Sequence, residues 1–85
     1  MKIKVFTKPE CPNCPPAKKL AEVIKNEKKL SVELYDVEDP DGLAEAQFYS
    51  VMATPSVILT DDSEKEIIGW RGVVPAKKEV YDKML

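Results

Sequence analysis

The chain is 85 residues long with 13 Lys and Arg against 15 Asp and Glu, so its net charge of −2 gives no basic surface for nucleic acid. Hydrophobic residues make up 44% and charged residues 33%, which suits one core in a single domain over 1–85, and no apolar run is long enough to span a membrane. The opening "MKIKVF" lacks the apolar stretch of a secretion signal, which predicts a cytoplasmic protein with thiols kept reduced.

"KIKVFT" alternates, with Ile3 and Val5 on one face and Phe6 on the other, as a strand does. Ala17, Leu20, Ala21 and Ile24 then form the apolar stripe of a helix closed by Lys25, Lys28 and Lys29, whose charges complement its C-terminal dipole. Pro15 and Pro16 lack N–H donors and are harmless only in a first turn, so the helix is predicted to begin around Cys14 or Pro15. "SVELYDV" reads as a second strand with Val32 and Leu34 inward. After the turn "EDPDG", Asp39 or Asp41 is expected to cap a helix that carries Leu43, Ala44 and Phe48 inward and ends near Tyr49 or Ser50. "PSVILT" and "KEIIGW", separated by polar residues, predict an antiparallel hairpin. Pro75 suits a first helical position, with Ala76, Val80 and Met84 recurring to the chain end. The order is βαβαββα, an α/β arrangement that opens with a parallel βαβ unit, and the final hairpin extends the same sheet.

Cys11 and Cys14, the only cysteines, have three readings. As a staple they close so short a loop that the chain-entropy model gives only about 2 kcal/mol, in a compartment that reduces such bonds. As a metal site they lack ligands, because a structural zinc takes four and the chain has no histidine. A dimer or outside thiols could complete one, and Cu(I) accepts few soft ligands. As a redox pair they are well placed: Cys11 follows a strand at or just before a helix N-terminus, where N–H groups favour a thiolate. Lowering a thiol pKa by two units takes roughly 2.7 kcal/mol, of which a helix dipole gives about 0.3–1 kcal/mol. Backbone N–H bonds must supply much of the rest, with help from Lys8.

"FTKPECPNC" resembles the active-site segment of the glutaredoxins and small glutaredoxin-like redoxins, members of the thioredoxin-fold oxidoreductases. "VMATPSVIL" is similar to their cis-proline segment and "EIIGW" to the strand and glycine that follow, so the resemblance covers nearly the whole chain. It implies a thioredoxin-like fold, a four-stranded mixed sheet flanked by three helices. It implies Cys11 as nucleophile, Cys14 as resolving thiol, and a cis Pro55 that leaves the Thr54 backbone free to pair with an extended substrate. Lys8, Pro12, Gly69 and Trp70 complete the implied substrate-binding set. The chain departs from the pattern in three places. Asn13 stands where glutaredoxins commonly have tyrosine; "GWRG" brings Trp70 and Arg71 into the second half of the glutathione site; and Val5 stands at the depth of the thioredoxins' buried aspartate.

The resulting expectation is a monomeric dithiol–disulfide oxidoreductase acting on protein or small-molecule disulfides. Its only prosthetic element is the Cys11–Cys14 disulfide, since no flavin or dinucleotide fingerprint is present. An external protein reductase is expected to restore it, with glutathione a poor donor even if Arg71 meets a glutathione carboxylate. Trp70 is expected beside Cys11 and Pro55 as part of a docking surface. The alternative is a dimeric metal or iron–sulfur module using Cys11 of each subunit.

Overall fold

A computed structural model describes residues 1–28 and 30–84. The elements run β1 (Lys2–Thr7), α1 (Cys14–Lys28), β2 (Ser31–Asp36), α2 (Pro40–Phe48), β3 (Ser56–Thr60), β4 (Glu66–Arg71) and α3 (Lys77–Lys83). They form one mixed sheet in the order β2-β1-β3-β4. β1 runs parallel to β2, from Lys2↔Ser31 to Thr7↔Asp36, and antiparallel to β3, from Lys2↔Thr60 to Phe6↔Ser56. β3 and β4 form the expected hairpin, with Val57 opposite Trp70. This is the thioredoxin fold.

The two faces of β1 sort as its alternation predicts. Ile3 and Val5 join Ala17, Ala21, Ile24, Val57, Leu59 and Val80 in a buried core on the side of α1 and α3. Phe6 joins Ala46, Tyr49 and Ile58 on the α2 side, with its ring stacked on Tyr35 at 5.2 Å. Dispersion and apolar burial on both faces make β1 the most enclosed strand with β3, which is why the segments that leave these two strands are firmly placed.

Four expectations require correction. Leu34 is 55% exposed: its face is the α1 side, beside Val5, but β2 is an edge strand and α1 leaves its outer flank uncovered. Leu43 and Phe48 are 48% and 73% exposed, and Ala44 is exposed too. α2 instead turns Gly42, Ala46 and Tyr49 to the sheet, a spacing of four and three residues on one face. The reason is steric, since a Cβ on Gly42 would overlap the Asp36 carbonyl oxygen. Asp39 takes the expected N-cap position of α2, but its side chain makes no capping bond, and Pro40 takes the first helical turn. Pro75 lies before α3, whose N-cap is Ala76, and is buried; the Ala76 N–H is met by the Glu79 carboxylate at 3.1 Å. Lys29, expected to help close α1, and Leu85 at the chain end lie outside the described residues.

Candidate redox site

The loop 8–13 leaves the C-terminal end of β1 and delivers Cys11 to the start of α1. The Val37 N–H donates to the Thr7 carbonyl at 2.9 Å, which fixes the end of β1 from which that loop departs. The Cys14 N–H donates to the Cys11 carbonyl at 3.2 Å and closes the turn. Cys11 and Cys14 are disulfide-bonded, with Cα atoms 5.3 Å apart. Cys11 is 8% exposed and Cys14 3%, so Cys11 is the more accessible of the two residues. α1 opens at Cys14, which leaves Pro15 and Pro16 in its first turn, where a missing N–H costs no helical bond.

The register Phe6↔Ser56 brings Pro55 to the same end of the sheet as the cysteine loop. The Thr54–Pro55 bond is cis and Pro55 is buried. Residues that the sequence reading did not single out hold this segment. The Gly72 N–H donates to the Pro55 carbonyl at 2.9 Å, with Gly72 at φ 77, a conformation glycine takes at little cost. The Ser56 hydroxyl donates to the Ala53 carbonyl at 2.6 Å and accepts from the Gly72 N–H at 3.2 Å. The visible signals are the serine of "TPS", inside the predicted strand "PSVILT", and the second glycine of "GWRG". Among the described residues, no backbone group pairs with the N–H or carbonyl of Thr54.

Lys8 and Thr54 come together on one groove of about 200 Å³, whose walls include Leu43, Val51, Met52 and Ala53. Met52 is 96% exposed, so this side of the site is apolar and open. Pro12 is exposed beside Cys11. Gly69 and Trp70 lie on β4, opposite Ile58 and Val57. Trp70 is half-buried and packs against the core under α1 and α3. Arg71 is already engaged: it donates twice to the Glu66 carboxylate, at 3.1 and 2.7 Å, and to the Tyr49 carbonyl at 2.7 Å. A Cβ on Gly69 would overlap that guanidinium, so the glycine serves Arg71's path.

A second cluster escaped the sequence reading. Lys4 points to the α2 side of β1 and its side chain is only 1% exposed. Its ammonium meets Glu33 at 3.0 Å, Glu45 at 2.7 Å and Glu64 at 2.8 Å, with the Tyr35 hydroxyl at 3.5 Å. Burial alone would lower the lysine's pKa, but the bonds to Glu45, Glu64 and Glu33 outweigh it and hold Lys4 above the usual lysine range. Burial and the bond to Glu33 push Tyr35 up to about 12. The three carboxylates could converge on a metal ion, their oxygens lying within 4.8 Å of one another, but Lys4 supplies the cation between them. The signal was weak because the partners are far apart in sequence and a lysine in an alternating strand ordinarily faces water.

The thioredoxin-domain family model matches residues 1–84. A thioredoxin of Methanocaldococcus jannaschii is 36% identical over 64 residues, 75% of each chain. A probable thioredoxin of Archaeoglobus fulgidus is 37% identical over 60 residues, 69% of this chain and 65% of that one. Among solved structures, thioredoxin 1 of Thermosipho africanus superposes with a TM-score of 0.82 at 24% identity, covering 99% of this chain and 90% of that one. That last likeness concerns the fold. No described helix is long and apolar enough to cross a membrane.

Proposed function

This chain belongs to the thioredoxin family, and from that premise we propose that it is a cytoplasmic dithiol–disulfide oxidoreductase reducing protein or small-molecule disulfides. The observation that carries the reading is the Cys11–Cys14 disulfide at the head of α1, with Cys11 the more accessible residue. In the reduced protein the Cys11 thiolate attacks one sulfur of a substrate disulfide. A Cys11–substrate bond forms, the substrate S–S bond breaks, and the leaving thiolate takes a proton. Deprotonated Cys14 then attacks the Cys11 sulfur, releases the second substrate thiol and closes the protein disulfide. The positive end of the α1 dipole favours the Cys11 thiolate and Lys8 adds charge to the same loop, while the Cys14 N–H is taken by the Cys11 carbonyl and Pro15 and Pro16 have none to give.

Thr54 and Pro55 form the substrate side, with the unpaired Thr54 backbone offering strand-like pairing to an extended segment. Pro12 borders the sulfur. Gly69 and Trp70 support β3 from β4, opposite Ile58 and Val57. The glutaredoxin-like segment at Cys11 is paired with a poor glutathione site. Arg71 is held by Glu66 and Tyr49, so it offers no free partner for a glutathione carboxylate. Losing one or two ligand hydrogen bonds, at about 0.5–1.5 kcal/mol each, weakens binding several-fold to about a hundredfold. A protein reductase is the proposed donor. Turnover of one disulfide substrate with a thioredoxin reductase system should far exceed turnover with glutathione plus glutathione reductase. Efficient turnover with millimolar glutathione would return the chain to a glutathione-dependent role.

A further inference from the structure

Among the described residues, three other than glycine hold a left-handed backbone: Glu10 at φ 61, Ser50 at φ 56 and Glu64 at φ 65. Glycine or asparagine takes that conformation with less steric cost, so each of the three needs a reason. Ser50 follows the end of α2, and Glu64 uses its turn to bring its carboxylate to Lys4 at 2.8 Å. Glu10 has no such use: it is exposed, and its carboxylate pairs with no group among the described residues. It does stand next to Cys11, the more accessible cysteine. It is also the only acidic residue between Lys8 and Lys19, in a segment whose other charges are all positive. A disfavoured residue whose side chain the fold leaves unused, at the edge of the reacting atom, is explained by what approaches that atom.

We propose that Glu10 is a specificity-determining residue that biases the dithiol against anionic disulfides and toward disulfides flanked by cationic groups. The proposal rests on the oxidoreductase reading above and deepens it by naming a substrate class. In the mixed disulfide with Cys11, the groups flanking the substrate sulfur lie within one or two residues' reach of the Glu10 carboxylate. Glutathione disulfide, with more carboxylates than amines, is repelled there, whereas a protein segment with Lys or Arg beside its cysteine is attracted. A unit charge roughly 8 Å away in a water-like medium changes a rate about two-fold, so opposite substrate charges separate by about five-fold.

The test is the rate at which the dithiothreitol-reduced, repurified protein reduces three small disulfides: cationic cystamine, anionic dithiodiglycolate and neutral hydroxyethyl disulfide. The rate ratio of cystamine to dithiodiglycolate should fall about five-fold in Glu10→Gln and further in Glu10→Lys, and stay at the wild-type value in Glu10→Asp. Added salt should shrink the differences. A role for Glu10 in loop shape alone would move all three rates together and leave the ratio untouched. An equal ratio in wild type, Glu10→Gln and Glu10→Lys overturns the proposal while leaving the oxidoreductase reading intact. Failure of the wild type to reduce even the neutral disulfide overturns that reading and the proposal with it.

Discussion

A serine at position 11 leaves a hydroxyl that cannot attack a disulfide at neutral pH, so Cys11→Ser should abolish disulfide reduction. Cys14→Ser keeps the nucleophile and removes the residue that resolves its adduct. It should accumulate a mixed disulfide through Cys11, visible by intact mass and lost on adding dithiothreitol. The roles proposed for the two thiols are supported by the 8% and 3% exposures of the two residues and by Cys14 lying inside the first turn of α1. Preferential alkylation of Cys14 in the reduced wild type at pH 6 would reverse the roles. At this scale the sequence was a good guide wherever spacing itself encodes chemistry: a Cys-Pro-Asn-Cys turn between a strand and a helix has few other uses. It was a poor guide to Lys4, Ser56 and Gly72, whose partners arrive through the sheet register and leave no mark in the neighbouring residues.

At the scale of elements, α2 shows why the apolar pattern misled. Leu43 and Phe48 are large and apolar, and they suggest the buried face of the helix, but they stand on its outer side. The buried face is made by Gly42 and Ala46, small enough for α2 to lie close on β2, with Tyr49 reaching back to the Glu64 carbonyl at 2.6 Å. Close approach selects for absent side chains, and hydrophobic periodicity is blind to them. Strands were easier because β1 and β3 are enclosed on both faces, whereas Leu34 on the edge strand follows the pattern without the burial. Gly42→Ala should therefore destabilise the fold. Alanine gains up to about 1 kcal/mol of helix propensity, but overlap with the Asp36 backbone costs typically 1–3 kcal/mol and cannot be relieved by a rotamer. Phe48→Ser should cost less, since its ring is mostly in solvent. Urea midpoints at constant slope read both, and the opposite order would refute the packing described for α2.

At the scale of the whole molecule, Lys4 ties four parts together: β1 carries it, Glu33 lies on β2, Glu45 on α2 and Glu64 in the β3–β4 turn. Hydrogen bonds from Lys4 hold Glu33 and Glu64 below the usual carboxylate range. A carboxylate depressed in the folded state adds stability above its unfolded pKa, about 4.3, and that stability is lost as pH falls through the folded value. Lys4 is shifted the other way, so its share is complete below the ordinary lysine value of about 10.4 and is lost only as pH rises beyond its folded one. The acid limb is thus the accessible one, with stability falling below about pH 4.5. Lys4→Met keeps the length and apolar stem but leaves three carboxylates facing one another. At pH 7 it should cost about 2–4 kcal/mol. That is somewhat less than breaking a fully buried pair, because the Glu33, Glu45 and Glu64 side chains remain 38%, 33% and 49% exposed. Protonation relieves the repulsion in the variant while removing the ion pairs of the wild type. The difference in unfolding free energy between the two should therefore narrow as pH drops from 7 to 3.5. Urea melts at the two pH values measure it, and a difference that stays constant would mean that Lys4 acts by filling space and not by its charge.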